Sequence, residues 1–229
     1  MRPEELAKTL DLTVLHAKAG LEDIDAACEV AREQHFAAVT ATAAFASEVR
    51  SRLVGSDVKT CIAVGLPHGG GEQSVLLDEV REAVAGGVEE LDLIMNTEAM
   101  RQGGFRQARD ELHMMIRSAR ARALGLGRGD LMVKVVLDSA LLDEKRTRLA
   151  CKIIGDVEGD FAITGSSAAP PRLRDVELLR ECLPGHIGVG CGGIPDLEMA
   201  ESVIAAGASR IGSAAASEIL RSFIERRAA

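Results

Sequence analysis

Eight short apolar segments recur from one end of this 229-residue chain to the other, and stretches patterned as amphipathic helices lie between most of them. The strand-like segments are residues 9–15, 37–42, 58–65, 90–96, 132–138, 160–166, 187–193 and 210–214, and many close on Gly, Asn, Asp or Ser. Near-continuous apolar strands are what a parallel sheet covered by helices requires. Helical periodicity predicts helices over 21–34, 73–85, 105–123, 172–183, 196–206 and 215–226. The first carries Leu21, Ile24, Ala27, Cys28 and Ala31 on one stripe, and the third carries Leu112, Met115, Ile116 and Ala119. Asp196 suits an N-cap, and Pro170-Pro171 suit the first turn of the helix that follows. The basic run 117–122 reads as a solvated helix face. Eight strands with intervening helices in a chain of this length fit an α/β fold, a (β/α)8 barrel forming one domain over residues 1–229. The rival is a doubly wound open sheet. Against it, no GxGxxG follows the first strand, no GxxxxGK[ST] occurs, and no Pro- or Ser-rich linker divides the chain.

Charge and composition narrow the function. With 35 acidic against 27 basic residues the net charge is −8, which argues against nucleic acid as a partner, because phosphate binding wants a basic face. Aromatic residues make up 2% of the chain, without Trp or Tyr, so stacking platforms for bases or sugars are largely excluded. No apolar run reaches the roughly 18 residues of a membrane span, and the polar start MRPEELAK is unlike a signal peptide. Cys28, Cys61, Cys151, Cys182 and Cys191 lie far apart without a CxxC pair. That spacing suits neither a disulfide framework nor zinc, and fits a reducing cytoplasm. No His, Asp or Glu cluster has metal-ligand spacing.

Charged residues inside apolar strands are the informative exceptions. Strand alternation puts Asp92, Ile94 and Asn96 of ELDLIMN on one face, and Lys134, Val136 and Asp138 of MVKVVLD on another. Asp11 in LDLTVLH is a third intra-strand charge. Converging on one barrel interior, these groups are either a structural ion pair that fixes strand register or a general acid/base beside a cation. Cys191-Gly192-Gly193 and Gly212-Ser213 close the last two strands, where barrels commonly bind phosphate through backbone N–H groups, and so point to an anionic or polar small ligand. The segment Pro67-His68-Gly69-Gly70-Gly71 is flexible enough to reach over a pocket mouth, although a lone loop histidine is more often a surface residue than a proton carrier. Cys191 has no obvious histidine partner nearby in sequence to make it a nucleophile.

Over nearly its whole length the chain resembles the deoxyribose-phosphate aldolase family. The resemblance rests on DLTVLH, VKTCIAVGLPHGG, VEELDLIMN, VKVVLDSALLDE, GDFAITGSS, GVGCGGIPDLEMA and AGASRIGSAA, in that order. It implies the (β/α)8 fold and no metal or organic cofactor. It also implies a catalytic role for Asp92 and pocket positions for Asp11 and Lys134, with Asp138 where the family has a strand-five glutamate. Related barrels commonly dimerise, so a homodimer is compatible with it, although no segment marks an interface. The family forms a Schiff base through a sixth-strand lysine in a motif reading DFVKT, with a second lysine in a seventh-strand VKASGG. Here Ile163 stands at the first position, and the seventh strand carries no lysine in any register. The serines after strand eight become Ala214 and Ala215, while Gly212 and Ser213 remain. Substrate contacts are accordingly expected from Ile163, Thr164, Ser166, Cys191, Gly192, Gly193, Gly212 and Ser213.

Isoleucine cannot form an iminium, so three readings stand open. One is non-covalent acid/base chemistry on a small carbonyl or sugar-like compound: proton transfer, cyclisation, dehydration, or a C–C lyase or synthase step. Losing a cation and gaining apolar surface beside Asp92 should raise its pKa, and Lys134 could then stabilise an oxyanion. The second is an aldolase whose Schiff base has moved to Lys134. The third is a non-catalytic binding or partner protein on a retired aldolase fold.

Overall fold

The computed structural model describes residues 1–165 and 169–228. Eight parallel strands close into a barrel in sequence order: β1 (Leu10–Val14), β2 (Ala38–Thr42), β3 (Lys59–Val64), β4 (Glu90–Ile94), β5 (Met132–Asp138), β6 (Phe161–Gly165), β7 (Gly188–Gly192) and β8 (Arg210–Ser213). Closure comes from Leu10, Asp11 and Leu12 pairing with Ile211, Gly212 and Ser213. Ten helices occur among the described residues: α1 (Pro3–Ala7), α2 (Leu21–Gln34), α3 (Ala46–Leu53), α4 (Gln73–Ala85), α5 (Thr97–Gln102), α6 (Phe105–Gly125), α7 (Glu144–Asp156), α8 (Leu173–Cys182), α9 (Leu197–Ala205) and α10 (Ala216–Ala228). Among the described residues no helix is long and apolar enough to cross a membrane.

Alternation along each strand divides the residues into two sets. Leu91 and Leu93 of β4, with Val133, Val135 and Leu137 of β5, are fully buried on the helix-facing side. They pack with helix residues such as Ile24, Val49, Val80, Leu112 and Ile154 into one continuous core. The opposite parity points into the barrel. There the chain places charge, glycine and small side chains, leaving room for a cavity.

Helices α1, α3, α5 and α7 were not predicted by periodicity. Only Val49 and Leu53 are buried in α3, too few to make a stripe. The N-terminal half of α7 is charge-rich; its signal is the cap at Asp143, whose carboxylate accepts from the Arg146 N–H at 2.8 Å. Pro170 and Pro171 precede the N-cap Arg172 and lie outside the first turn of α8. Asp196 caps α9 as expected, accepting from Met199 N at 2.9 Å.

The β3–α4 loop departs from the flexible strap expected of three consecutive glycines. Thr97 N donates to His68 O at 3.0 Å, and Gly69 N donates to Gly65 O at 2.7 Å. Gly69 adopts φ +73°, and a Cβ there would lie 2.5 Å from Ile94 O and 2.6 Å from Met95 C. The loop is therefore seated on the end of β4 and holds Leu66 and Pro67 against the barrel mouth. Gly69→Ala should cost about 1–3 kcal/mol in denaturant unfolding, through the left-handed backbone and the clash. Gly70→Ala, where a Cβ meets open space, should be nearly neutral; equal losses in the two variants would mean the loop is not seated this way.

Candidate active site in the barrel interior

Five charged side chains meet inside the barrel. Lys134 Nζ lies 3.1 Å from Asp11 Oδ2, 2.9 Å from Glu90 Oε2 and 3.0 Å from Asp92 Oδ1. Arg210 forks onto Glu90, with Nη1–Oε1 at 3.1 Å and Nη2–Oε2 at 2.6 Å, and also reaches Asp11 Oδ1 through Nε at 3.1 Å and Nη2 at 2.5 Å. Three carboxylates thus face two cations, one negative charge in excess.

Electrostatics separates the two aspartates. For Asp11, burial opposes ionisation, but Lys134 and Arg210 outweigh it and hold the carboxyl below its ordinary value. Asp92 goes the other way. Burial raises its pKa, and the Asp11 and Glu90 carboxylates add to the rise against the opposing pull of Lys134. Burial alone would lower the Lys134 pKa, yet the surrounding carboxylates drive it well above the ordinary value, so its amine stays protonated. Asp92 is also the most accessible member: its side chain is 15% exposed, against 1% for Lys134 and 4% for Glu90.

Above this cluster opens a cavity of about 470 Å³ at the C-terminal ends of the strands. Asp92 and Lys134 form part of its floor; Ile94, Val136 and Ile163 form an apolar belt; Asp138, Gly192, Gly193 and Gly212 lie toward the mouth. Lys134 is the only lysine among the described lining residues. The inward positions of β7 are Gly188, Gly190 and Gly192. A Cβ at Gly190 would sit 2.5 Å from Ile163 Cδ1 and 2.8 Å from Arg210 O, and one at Gly188 would strike the Phe161 ring at 2.2 Å. Side chains from β6 and β8 therefore occupy the space a larger β7 residue would need.

The sequence expectations divide by strand parity. Asp11, Asp92, Lys134, Asp138, Ile163, Gly192, Gly193 and Gly212 all line the cavity. Thr164, Cys191 and Ser213 do not, because each neighbours an inward residue and so points outward. Thr164 donates to Ser139 Oγ at 2.6 Å, and Ser139 in turn donates to Asp175 at 2.8 Å. Cys191 is buried, which pushes its thiol up to about 12, far from thiolate reactivity. Ser213 is fully buried, donating to Ile194 O at 2.6 Å and accepting from Ala215 N at 2.9 Å, so its hydroxyl is already committed. Ser166 lies outside the described residues. Outside the cluster, His68 Nδ1 stands 3.4 Å from Asp138 Oδ2, with its ring half exposed. Glu90 and Arg210 were missed in the sequence. Glu90 shares the parity of Asp92 and Arg210 that of Gly212, so alternation carried both to completion would have found them.

Comparison with known proteins accords with this architecture. The chain matches no family model. It is 32% identical over 219 residues to a deoxyribose-phosphate aldolase of Clostridium tetani, covering 94% of this chain and 98% of that protein. It is 33% identical over 218 residues to the deoxyribose-phosphate aldolase of Clostridium novyi, covering 94% and 95%. Among solved structures, QR15, an aldolase, superposes with a TM-score of 0.87 at 28% identity over 97% of each chain. The tetrameric deoxyribose phosphate aldolase of Aeropyrum pernix gives a TM-score of 0.87 at 26% identity, over 98% of this chain and 93% of that one. By sequence along nearly its full length and by its closed barrel, the chain belongs to the deoxyribose-phosphate aldolase family.

Proposed function

We propose that this family member performs non-covalent acid/base chemistry on a small carbonyl or sugar-like compound, with Asp92 as the proton carrier. The observation that carries this reading is an accessible Asp92, its pKa raised by burial, sharing with Ile163 a cavity whose one described lysine is locked among carboxylates. As an acid, Asp92 donates to an oxygen on which negative charge develops; as a carboxylate, it takes a proton back from the substrate. The enclosed, largely apolar belt strengthens both steps by excluding water. Proton transfer, cyclisation, dehydration, and C–C cleavage or formation all fit such a shuttle.

Lys134 serves as a positioning residue in this reading. Its ammonium donates to Asp11 and lies within 3.0 Å of Glu90 and Asp92, and its side chain is 1% exposed, which leaves little to offer an oxyanion. The same facts count against a Schiff base at Lys134, since an iminium begins with a neutral, accessible amine. Asp11 fixes Lys134 and Arg210, and the glycines of β7 and β8 present backbone to the ligand.

Asp92→Asn should lower turnover of a substrate found by metabolite screening by about 10²–10⁴-fold while the protein stays folded. Full turnover in the folded variant would refute the assignment. Native Asp92 binds its proton more tightly than the unfolded chain does, so its contribution to stability falls as pH rises from about 3.9 through the raised native pKa. The difference in unfolding free energy between wild type and Asp92→Asn should follow that sign; a difference that grows in the wild type's favour over that range contradicts it. Lys134→Met should destabilise the protein by about 3–5 kcal/mol, because it strands buried carboxylates; a loss under 1 kcal/mol would show the cluster to be solvated. Borohydride treatment with small aldehydes should leave no adduct on Lys134. Ile163→Lys alone should not confer deoxyribose-phosphate cleavage; robust cleavage would show that one side chain decides the chemistry.

A further inference from the structure

The charges on the cavity wall are unevenly spent. Both lining cations are engaged: Lys134 donates to Asp11 and lies 2.9–3.0 Å from Glu90 and Asp92, and Arg210 donates to Asp11 and Glu90. Two of the polar devices at the mouth are taken as well. Ser213 Oγ and Ala215 N bond to each other, and the Asp196 carboxylate caps the N-terminus of α9. The undescribed residues 166–168 are Ser, Ser and Ala, which carry no charge. Among the described residues lining the cavity, no uncommitted cation faces a ligand.

Asp138 has the opposite character. It lines the cavity, is 5% exposed, and among the described residues its Oδ1 is buried without a hydrogen-bond partner, while Oδ2 has His68 Nδ1 at 3.4 Å. Thr40, 1% exposed and also on the cavity, has an unpartnered Oγ1. A buried carboxylate oxygen with no donor is costly, and an ammonium or other charge-assisted donor relieves it best. Asp138 stands four residues beyond Lys134, which pairs with Asp92, so it lies roughly 13 Å further along the tilted strand toward the mouth at about 3.3 Å per residue. Between the two levels runs the apolar belt of Ile94, Val136 and Ile163.

We infer that the cavity takes an amine-bearing substrate, with its reacting oxygen function at Asp92, an aliphatic middle along the belt, and a distal ammonium on Asp138, in place of a phosphate-bearing one. The inference rests on the reading of this cavity as the substrate site and names the class of compound it holds.

Three probes that differ only at the distal end test it by calorimetry: 5-aminopentan-1-ol, pentane-1,5-diol and 5-hydroxypentyl phosphate. The amino alcohol should bind more tightly than the diol by about tenfold or more, the scale of one charge-assisted hydrogen bond, and the phosphate should bind most weakly. Asp138→Asn should bring the amino alcohol to within about twofold of the diol, by weakening the amino alcohol far more than the diol. Phosphate binding tightest, no preference among the three, no binding of any probe, or a preference that survives Asp138→Asn would each overturn the inference. The wild-type ranking stands even if the variant fails to fold. Repeating the series on Asp92→Asn separates the two claims, since the ammonium preference should persist there whatever becomes of turnover.

Discussion

A buried ammonium ringed by three carboxylates is the interaction on which the barrel interior depends. Lys134 and Arg210 together offset the charge of Asp11 and Glu90, and β1, β4, β5 and β8 meet through these contacts. Neither cation has slack, because buried charges of this kind persist only when their partners surround them. The surplus negative charge has to reside somewhere. It falls on Asp92, the member nearest the ligand space, where burial and the neighbouring carboxylates raise the pKa. Structural balance and proposed chemistry are thus one arrangement seen from two sides.

The shape of the cavity follows from an exchange of volume between neighbouring strands. Glycine at every inward position of β7 lets Phe161 and Ile163 of β6 and Arg210 of β8 lean across it. Isoleucine in that space adds apolar wall beside the acid, which disfavours its charged form. The family relationship accounts for the barrel, and the side chains gathered around Asp92 carry the behaviour proposed for it. At the mouth, a committed Ser213 and a partnerless Asp138 oxygen change the kind of ligand that is complementary.

Much of this was legible in the chain. The β5 segment 132–138 was read with its observed bounds, and the other strands to within a few residues, because apolar runs closed by turn residues are strong signals. Asp11, Asp92 and Lys134 stood out as charges in apolar strands, and they do meet. One rule, strand alternation, turns Thr164, Cys191 and Ser213 outward and brings Glu90 inward beside Asp92 on β4 and Arg210 inward with Gly212 on β8. Helix α3 buries only Val49 and Leu53, whereas α7 does carry a stripe (Thr147, Ala150, Cys151, Ile154) that its charge-rich first turns obscure. That Lys134 has three partners depends on side chains from two other strands, β1 and β4, a convergence no local pattern encodes.

The most direct measurement of the central claim is a carbon-13 NMR titration of the aspartate side-chain carboxyls, assigned through Asp11→Asn and Asp92→Asn spectra. The account requires Asp92 to keep its proton above the ordinary carboxylate range and Asp11 to lose its own below it. An Asp92 resonance that titrates at or below about 3.9, like a solvated aspartate, would contradict it.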